Sequence, residues 1–352
     1  MIISRTPLRI VFFGGGSDLP SWSRRHGGTV LGATIDKFCY LSCRRMPPLF
    51  PHRLRVVWSR TENCQHASEV RHPAVREALV HLGIERGVAV HHDGDLPARS
   101  GMGASSAFTV GLLHALYALR GYIPSKRQLA AEARDIEQAR LNEFVGAADH
   151  ALVAHGGLAQ VTCERDGDVR VKPLTVPLTR LRELNAHLLL FFVGPRRLTT
   201  DVFQMWAEAA EHRAAEMTAL AAMVEEGVNI LNGGDDLERF GRLLDENWRV
   251  KRGLPGVSTP EVDTAYERAL ALGGLGGTLL GPGGGGFLLL FVPPAYHTRV
   301  KTMLRPLTHV PFEFERAGTE IIFADPEIEP EAEDLTSDYA DHLAGRRLPE
   351  GF

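Results

Sequence analysis

The stretch Pro97-Ala-Arg-Ser-Gly-Met-Gly-Ala-Ser-Ser-Ala107 decides the fold. Two glycines and two adjacent serines stand at the mouth of an apolar run, residues 107–119, which has helical spacing and no proline. A glycine-rich loop therefore leads into a helix N-terminus. Backbone N–H groups without intrahelical acceptors meet the positive end of the helix dipole there, and both favour an anion. Gly101 and Gly103 let the backbone approach a phosphate with no Cβ in the way. The hydroxyls of Ser105 and Ser106 can bond phosphate oxygen or help hold a magnesium ion. In isolation the same residues also describe a glycine turn with a serine cap, so the rest of the chain decides between the two.

The chain has 352 residues, long enough for two domains. Hydrophobic residues make up 44% and charged residues 23%, the balance of a globular enzyme. A net charge of −4 argues against a nucleic-acid binder, which needs a basic surface. No apolar run approaches the length of a membrane span, and Met1-Ile-Ile-Ser-Arg5 carries no hydrophobic signal core. Cys39, Cys43, Cys64 and Cys163 form no CxxC pair and read as reduced, buried thiols. The expectation is a cytoplasmic protein acting on small molecules, with no nucleic-acid or membrane partner; a homodimer is compatible with it.

Strands are expected at 8–13, 29–35, 38–43, 53–58 and 88–92, with a helix at 73–82 opened by Pro73. Ser125-Lys-Arg-Gln128 is a capping box that opens a helix to about 141, and another helix surrounds Asp149. The pattern restarts after a proline-containing connection at 175–186. Beyond it come a strand at 186–193 and helices at about 200–231, 237–251 and 258–272. Two strands then flank the run 281–286, a helix covers 294–304, and a last strand covers 318–323. This gives an N-terminal domain at 1–180, a C-terminal domain at 181–330 and an acidic tail at 331–352. The fold class is α+β: an N-terminal mixed sheet bearing the nucleotide loop, and a C-terminal ferredoxin-like sheet with helices on one face.

Known phosphate-binding patterns narrow the chemistry. No GxxxxGK[ST] is present, so the chain is not a P-loop NTPase. The run Gly14–Gly16 is followed by Ser-Asp-Leu-Pro rather than a helix, so the dinucleotide fingerprint is absent. Protein-kinase signatures are absent too.

Three segments in order resemble the superfamily of galactokinase, homoserine kinase, mevalonate kinase and phosphomevalonate kinase, the GHMP kinases. They are Pro7-Leu-Arg-Ile-Val-Phe-Phe-Gly-Gly-Gly-Ser-Asp18, Pro97 to Ala107, and Gly281-Pro-Gly-Gly-Gly-Gly-Phe287. Within it, PLRIVFFGGGSDLPSW, TIDKF and SGMGASSAFTVGLLHAL look most like the D-glycero-D-manno-heptose 7-phosphate kinases, with fucose kinases more distant. The resemblance implies ATP and Mg2+ as cofactors and transfer of the γ-phosphoryl group to a sugar's anomeric hydroxyl. The acceptor it implies is D-glycero-D-manno-heptose 7-phosphate and the product the 1,7-bisphosphate. The alternatives are a kinase for a fucose- or galactose-like sugar, and a non-catalytic sugar sensor on the same fold.

The resemblance also implies residue roles that elementary chemistry supports. Asp149 takes the catalytic position, where a carboxylate accepts or orients the hydroxyl proton. Arg9 supports that base or the transferring group. Gly101, Met102, Gly103, Ala104, Ser105 and Ser106 form the nucleotide loop. Glu137 matches the magnesium ligand, and Ser105 completes the metal shell, with its neighbour Ser106 left open as the coordinating serine. Asp18 binds a sugar hydroxyl, and Gly15, Gly16, Ser17, Gly284 and Gly285 join it in binding the substrate. Arg197 takes a substrate phosphate; Arg5, Arg24, Arg25, Arg99 and Arg196 are further basic candidates. The chain departs from the family at Ala147-Ala148 (a Lys-Gln pair elsewhere), His150 (Gln), Pro282 (Ala) and Thr278 (Lys), and these positions bear on which sugar is used.

Overall fold

The computed structural model describes residues 1–47, 49–98, 100–195, 213–234 and 236–325. The chain opens with β1 (Ile2–Phe13), a short α1 (Pro20–His26) and β2 (Gly28–Arg45). Next come β3 (Leu54–Val57), β4 (Thr61–Cys64), α2 (Pro73–His81), β5 (Val88–Gly94) and α3 (Ala104–Leu119). The first unit continues through α4 (Lys126–Asp135), α5 (Ala147–His155), β6 (Leu158–Cys163) and β7 (Val169–Pro173). Then follow α6 (Leu178–His187), β8 (Leu188–Gly194), α7 (Ala214–Asn232), α8 (Glu238–Arg252) and α9 (Pro260–Ala271). The chain closes with β9 (Gly276–Leu279), β10 (Gly286–Phe291), α10 (His297–Met303), β11 (Thr308–His309), β12 (Phe314–Glu315) and β13 (Glu320–Ala324).

Two sheets result. The first is mixed, in the order β13-β1-β2-β5-β3-β4, with β12 and β6 also on β2 and β7 on β6. Among the described residues its one parallel pair is β3 with β5. The second runs β11-β8-β10-β9, antiparallel throughout. Numbered by their order within this unit, its strands read 4-1-3-2, the ferredoxin-like arrangement. The α+β, two-sheet architecture expected from the sequence is therefore present.

Helix α3 explains why the first sheet can be a core. Residues 106–113, Ala115 and Leu116 are all buried, because the helix lies against β1 and β2 and under other helices. Each fully buried Leu, Val or Phe there is worth about 1.5–3 kcal/mol. A helix apolar all round has no solvent face to present, so its N-terminus is held firmly in place.

Four expectations are corrected. The strands at 29–35 and 38–43 are one strand, β2, which passes a register shift against β1 at Pro7/Leu8 and pairs with it on both sides of that shift. The helix expected to reach 141 turns at Asp135 into a single π turn, Ile136–Arg140, closed by Leu141 N–H donating to the Ile136 carbonyl. The connection at 175–186 is largely helical, since Leu181 and Leu184 face the core from α6. The last strand does not belong to the second sheet: β13 pairs with β1, and β12 with β2, so the chain returns to the first unit. Both β12 and β13 fall inside the span 181–330 that the sequence assigns to the second unit. Part of the helix expected at 200–231 and the whole tail at 331–352 lie outside the described residues. No described helix is long and apolar enough to cross a membrane.

Candidate active site

Arg9 sits in the middle of β1 with its side chain aimed at the N-terminal end of α3. Its Nε donates to Asp149 Oδ1 at 2.7 Å and its Nη2 to Asp149 Oδ2 at 2.6 Å, a two-pronged grip. Its Nη1 donates to the Gly101 carbonyl at 2.5 Å. The Arg9 backbone N–H donates to the Met102 carbonyl, so strand and glycine loop are stitched together twice. Gly103 has φ +73°, and a Cβ there would meet the Arg9 side chain at 2.9 Å. Gly101 has φ +84°, and its Cβ would stand 2.3 Å from the Leu280 carbonyl oxygen. Only glycine tolerates both the positive φ and the close approach. The late glycine loop thus packs against the first one, bare backbone to bare backbone.

Asp149 lies in the first turn of α5, with a side chain 18% exposed. Asp18 stands beside it. Asp18 Oδ1 accepts from the Gly16 N–H at 3.2 Å and Oδ2 from the Ala148 N–H at 3.1 Å. A Cβ on Gly146 would fall 1.9 Å from Asp18 Oδ2, so this glycine makes room for the carboxylate. Burial, followed by the neighbouring Asp149 charge, pushes the Asp18 carboxyl up to about 6. Arg9, Val11, Gly15, Gly16, Asp18, Gly146, Asp149, Gly281 and Pro282 line one cavity.

Lys251 lines it too, and the sequence reading missed it. It belongs to the last turn of α8. The signal was available: the buried stripe of that helix runs Phe240, Leu244, Trp248 and Lys251, so a lysine occupies a core-facing position.

Glu137 is carried by the π turn and is fully buried. Ser105 Oγ donates to its Oε1 at 2.8 Å and Thr109 Oγ1 to the same oxygen at 2.7 Å. His150 Nε2 stands 2.9 Å from Oε2, with Ser106 Oγ 3.4 Å from that oxygen. Burial raises the Glu137 carboxyl, but the His150 interaction and the hydrogen bonds outweigh it and hold the group below the usual range. Among the described residues no partner meets His150 Nδ1.

A hydroxyl and a carboxylate are hard oxygen donors of the kind magnesium takes. Ser105 Oγ and Glu137 Oε1 stand together as one such pair, 2.8 Å apart. Ser105 is exposed, whereas Ser106 is buried beneath it. The donor set therefore fits the ion, with Ser105 as the accessible hydroxyl. Among the described residues no cluster of three or more His, Cys, Asp or Glu offers another metal site.

Several expected residues sit elsewhere. The Ser17 hydroxyl is fully buried and donates to the Gly14 and Thr29 carbonyls, so it shapes the loop and does not face the cavity. Gly281 and Pro282 border the cavity in place of Gly284 and Gly285, and the Gly284 N–H is committed to the Val257 carbonyl. The Met102 side chain is buried in the core, leaving only its backbone to the loop. Ala104 opens α3 directly after Gly103. Arg5 is paired with Glu320 at 2.8 Å and lies over the Phe38 ring. Arg99, Arg196 and Arg197 lie outside the described residues.

Beside Asp18 opens a second, larger cavity of about 530 Å³. Its charged lining is Asp18, Asp135, Glu143 and Glu164 against Arg24 and Arg134.

Comparison with known proteins accords with this geometry. Residues 69–157 match the GHMP kinases N terminal domain and residues 219–305 the GHMP kinases C terminal family. A D-glycero-alpha-D-manno-heptose 7-phosphate kinase of Campylobacter jejuni is 24% identical over 342 residues, covering 90% of this chain and 97% of that protein. A bifunctional fucokinase/GDP-fucose pyrophosphorylase of Arabidopsis thaliana is 25% identical over 318 residues, covering 82% of this chain and 30% of that one. Among solved structures, a D-glycero-D-manno-heptose 1-phosphate kinase from Bacteriodes thetaiotaomicron superposes with a TM-score of 0.76 at 21% identity, covering 93% of this chain and 100% of that one. The Lactococcus lactis galactokinase complexed with galactose gives a TM-score of 0.71 at 15% identity, with 91% and 94% covered. These two structures share the fold. The two family matches together span half of the chain, and with the stitched glycine loops and the gripped aspartate between them, this chain belongs to the GHMP kinase superfamily.

Proposed function

We propose that the chain transfers the γ-phosphoryl group of ATP to the anomeric hydroxyl of D-glycero-D-manno-heptose 7-phosphate, giving the 1,7-bisphosphate, in the cytoplasm. The superfamily fold supports ATP-dependent small-molecule kinase activity in general. The observation that carries the reading is the placing of Asp149. Arg9 holds both its oxygens, Asp18 stands beside it, and the α3 N-terminus lies just across the Gly101 carbonyl.

In this reading the triphosphate rests on the first-turn N–H groups of α3, those of Ala104, Ser105 and Ser106, which helix geometry leaves without intrahelical acceptors. Asp18 accepts a hydrogen bond from a sugar hydroxyl and fixes the ring. Asp149, oriented by Arg9, accepts the proton of the attacking hydroxyl. That oxygen bonds to the γ-phosphorus, the bond to the β,γ-bridging oxygen breaks, and its electron pair leaves with ADP. Ser105 and Glu137 would hold magnesium, which when bound neutralises phosphate charge. His150 keeps Glu137 oriented, a task for which the glutamine of related kinases also has an N–H.

The second cavity favours one alternative. Four carboxylates against two arginines suit a polyhydroxylated end better than a phosphate. An unphosphorylated fucose- or galactose-like acceptor satisfies that lining.

ADP release from ATP and magnesium is to be measured across heptose 7-phosphates, free heptoses, fucose and hexoses. Turnover preferring a heptose 7-phosphate, with the new phosphate on the anomeric carbon, upholds the reading. Preference for an unphosphorylated sugar transfers it to the alternative, and ATP binding with no turnover on any sugar leaves only a sensor.

A further inference from the structure

We propose that Lys251 contacts the phosphoryl group in transit, so that the reaction centre is completed by a cation from the second unit. The inference rests on the kinase reading above and adds a residue to it.

Position comes first. Lys251 reaches from the last turn of α8 into the cavity lined by Arg9, Asp18, Asp149 and Gly281. It is 8% exposed. Among the described residues its one hydrogen-bond partner is the Leu279 carbonyl oxygen, at 2.8 Å. An ammonium has three N–H donors, so two remain for something else. No described carboxylate lies within ion-pair distance of it. A buried cation without a counter-ion in contact costs several kcal/mol. A fold that retains one gains from it only when an anion arrives.

The charges already in the cavity say which anion. Arg9 is committed, two prongs to Asp149 and one to the Gly101 carbonyl. Asp18 and Asp149 are negative and face the acceptor. Lys251 is the cation of this lining not tied to a carboxylate, and it borders the face where Gly281 meets Gly101 of the nucleotide loop. A phosphoryl group passing from that loop toward Asp149 moves alongside the ammonium. Burial and the Arg9 charge lower the Lys251 ammonium to about 7, against the upward pull of Asp149. The negative charge of the phosphoryl oxygens would hold its proton on during transfer.

The competing role is that of an anchor. The bond to Leu279 ties α8 to the end of β9, just before the late glycine loop. Lys251→Met, one atom shorter, removes the charge and the donors together, and the two roles part in what the variant then loses: trapping of the phosphoryl mimic, or stability and ADP binding. Lys251→Arg keeps the charge.

The test is calorimetric titration of ADP with magnesium, with and without fluoroaluminate as the mimic of the transferring group, alongside thermal unfolding. No sugar is needed. The expected result is ADP affinity within about 2-fold of wild type in Lys251→Met, with the fluoroaluminate-dependent tightening lost by roughly 100-fold and largely kept in Lys251→Arg. The unfolding midpoint of Lys251→Met should equal or exceed that of wild type, because an unpaired buried charge is gone. Wild-type-like trapping in Lys251→Met overturns the inference and leaves the kinase reading standing. A lower midpoint with weakened ADP binding also overturns it, in favour of the anchor. A wild-type protein that binds no ADP at all removes the kinase reading, and this inference with it.

Discussion

The Arg9 guanidinium meets the Asp149 carboxylate through two parallel hydrogen bonds of 2.7 and 2.6 Å, while its third nitrogen holds the Gly101 carbonyl. One side chain thus fixes Asp149 and the glycine loop relative to each other. Asp149→Asn keeps the shape but removes the basicity and turns one oxygen into an amide that opposes an Arg9 donor. Its kcat should fall by about 10²–10⁴-fold with the nucleotide KM changed little. Steady-state kinetics at saturating acceptor checks this, and turnover near wild type would remove Asp149 from the mechanism.

Arg9→Lys tests the geometry of the same pair. Lysine carries the charge but cannot reach two carboxylate oxygens and a carbonyl at once. Loss of the fork should lower kcat/KM by at least roughly 10-fold and lower the unfolding midpoint, since Asp149 is left with one partner. If Lys at position 9 supports full activity, the charge alone matters and the fork does not.

Glu137 offers a third check. It is buried and receives bonds from Ser105, Thr109 and His150. His150→Leu removes one donor from a buried carboxylate, which should destabilise the fold by about 3 kcal/mol or more. His150→Gln supplies an amide N–H in the same place and should cost roughly half as much or less. Urea unfolding of the two variants separates them; equal losses would mean that His150 acts by packing alone.

Why these residues were or were not legible in the sequence follows from how each is placed. The glycine loop and α3 were readable because a loop with positive φ followed by a continuous apolar helix leaves a plain trace in one stretch of chain. Asp149 and Glu137 were readable only through the ordered resemblance, since a single acid on a helix has no spacing signature. The π turn that turns Glu137 inward was not readable. An inserted residue breaks the helical period without requiring any residue type. The return of β13 to β1 was equally hidden, because strand pairing 315 residues apart is decided by the three-dimensional edge it finds rather than by local pattern. Lys251 lay in plain view on a core stripe, and a lysine there breaks the rule that such positions are apolar.

Moving Asp18 without altering it tests its role directly. In Gly146→Ala the new Cβ would stand 1.9 Å from Asp18 Oδ2, so the carboxylate end must swing away. Asp18 then loses its bond from the Ala148 N–H and its aim into the cavity. The acceptor KM should rise by roughly 10–100-fold, the worth of a hydrogen bond to a charged group, while nucleotide binding stays unchanged. An unaltered acceptor KM would place the sugar elsewhere.

The ionisation of Asp18 makes a pH prediction whose sign is fixed. Burial and then the Asp149 charge raise the folded-state carboxyl to about 6, against 3.8 for the ordinary group. Between those values the native protein holds a proton that the unfolded chain has released. Stability from this group is therefore fully present below about pH 4 and is lost as pH rises through 6. The raised value corresponds to about 3 kcal/mol at most, since one unit is 1.36 kcal/mol. In Asp18→Asn that dependence is absent. Its unfolding free energy relative to wild type should therefore rise by about 2–3 kcal/mol between pH 4 and pH 7, whatever the offset at pH 4. Urea titrations at both pH values measure the difference of differences. A change of zero would mean that Asp18 titrates as an ordinary carboxylate, and a change of opposite sign would mean that the N–H groups of Gly16 and Ala148 outweigh both the burial and Asp149.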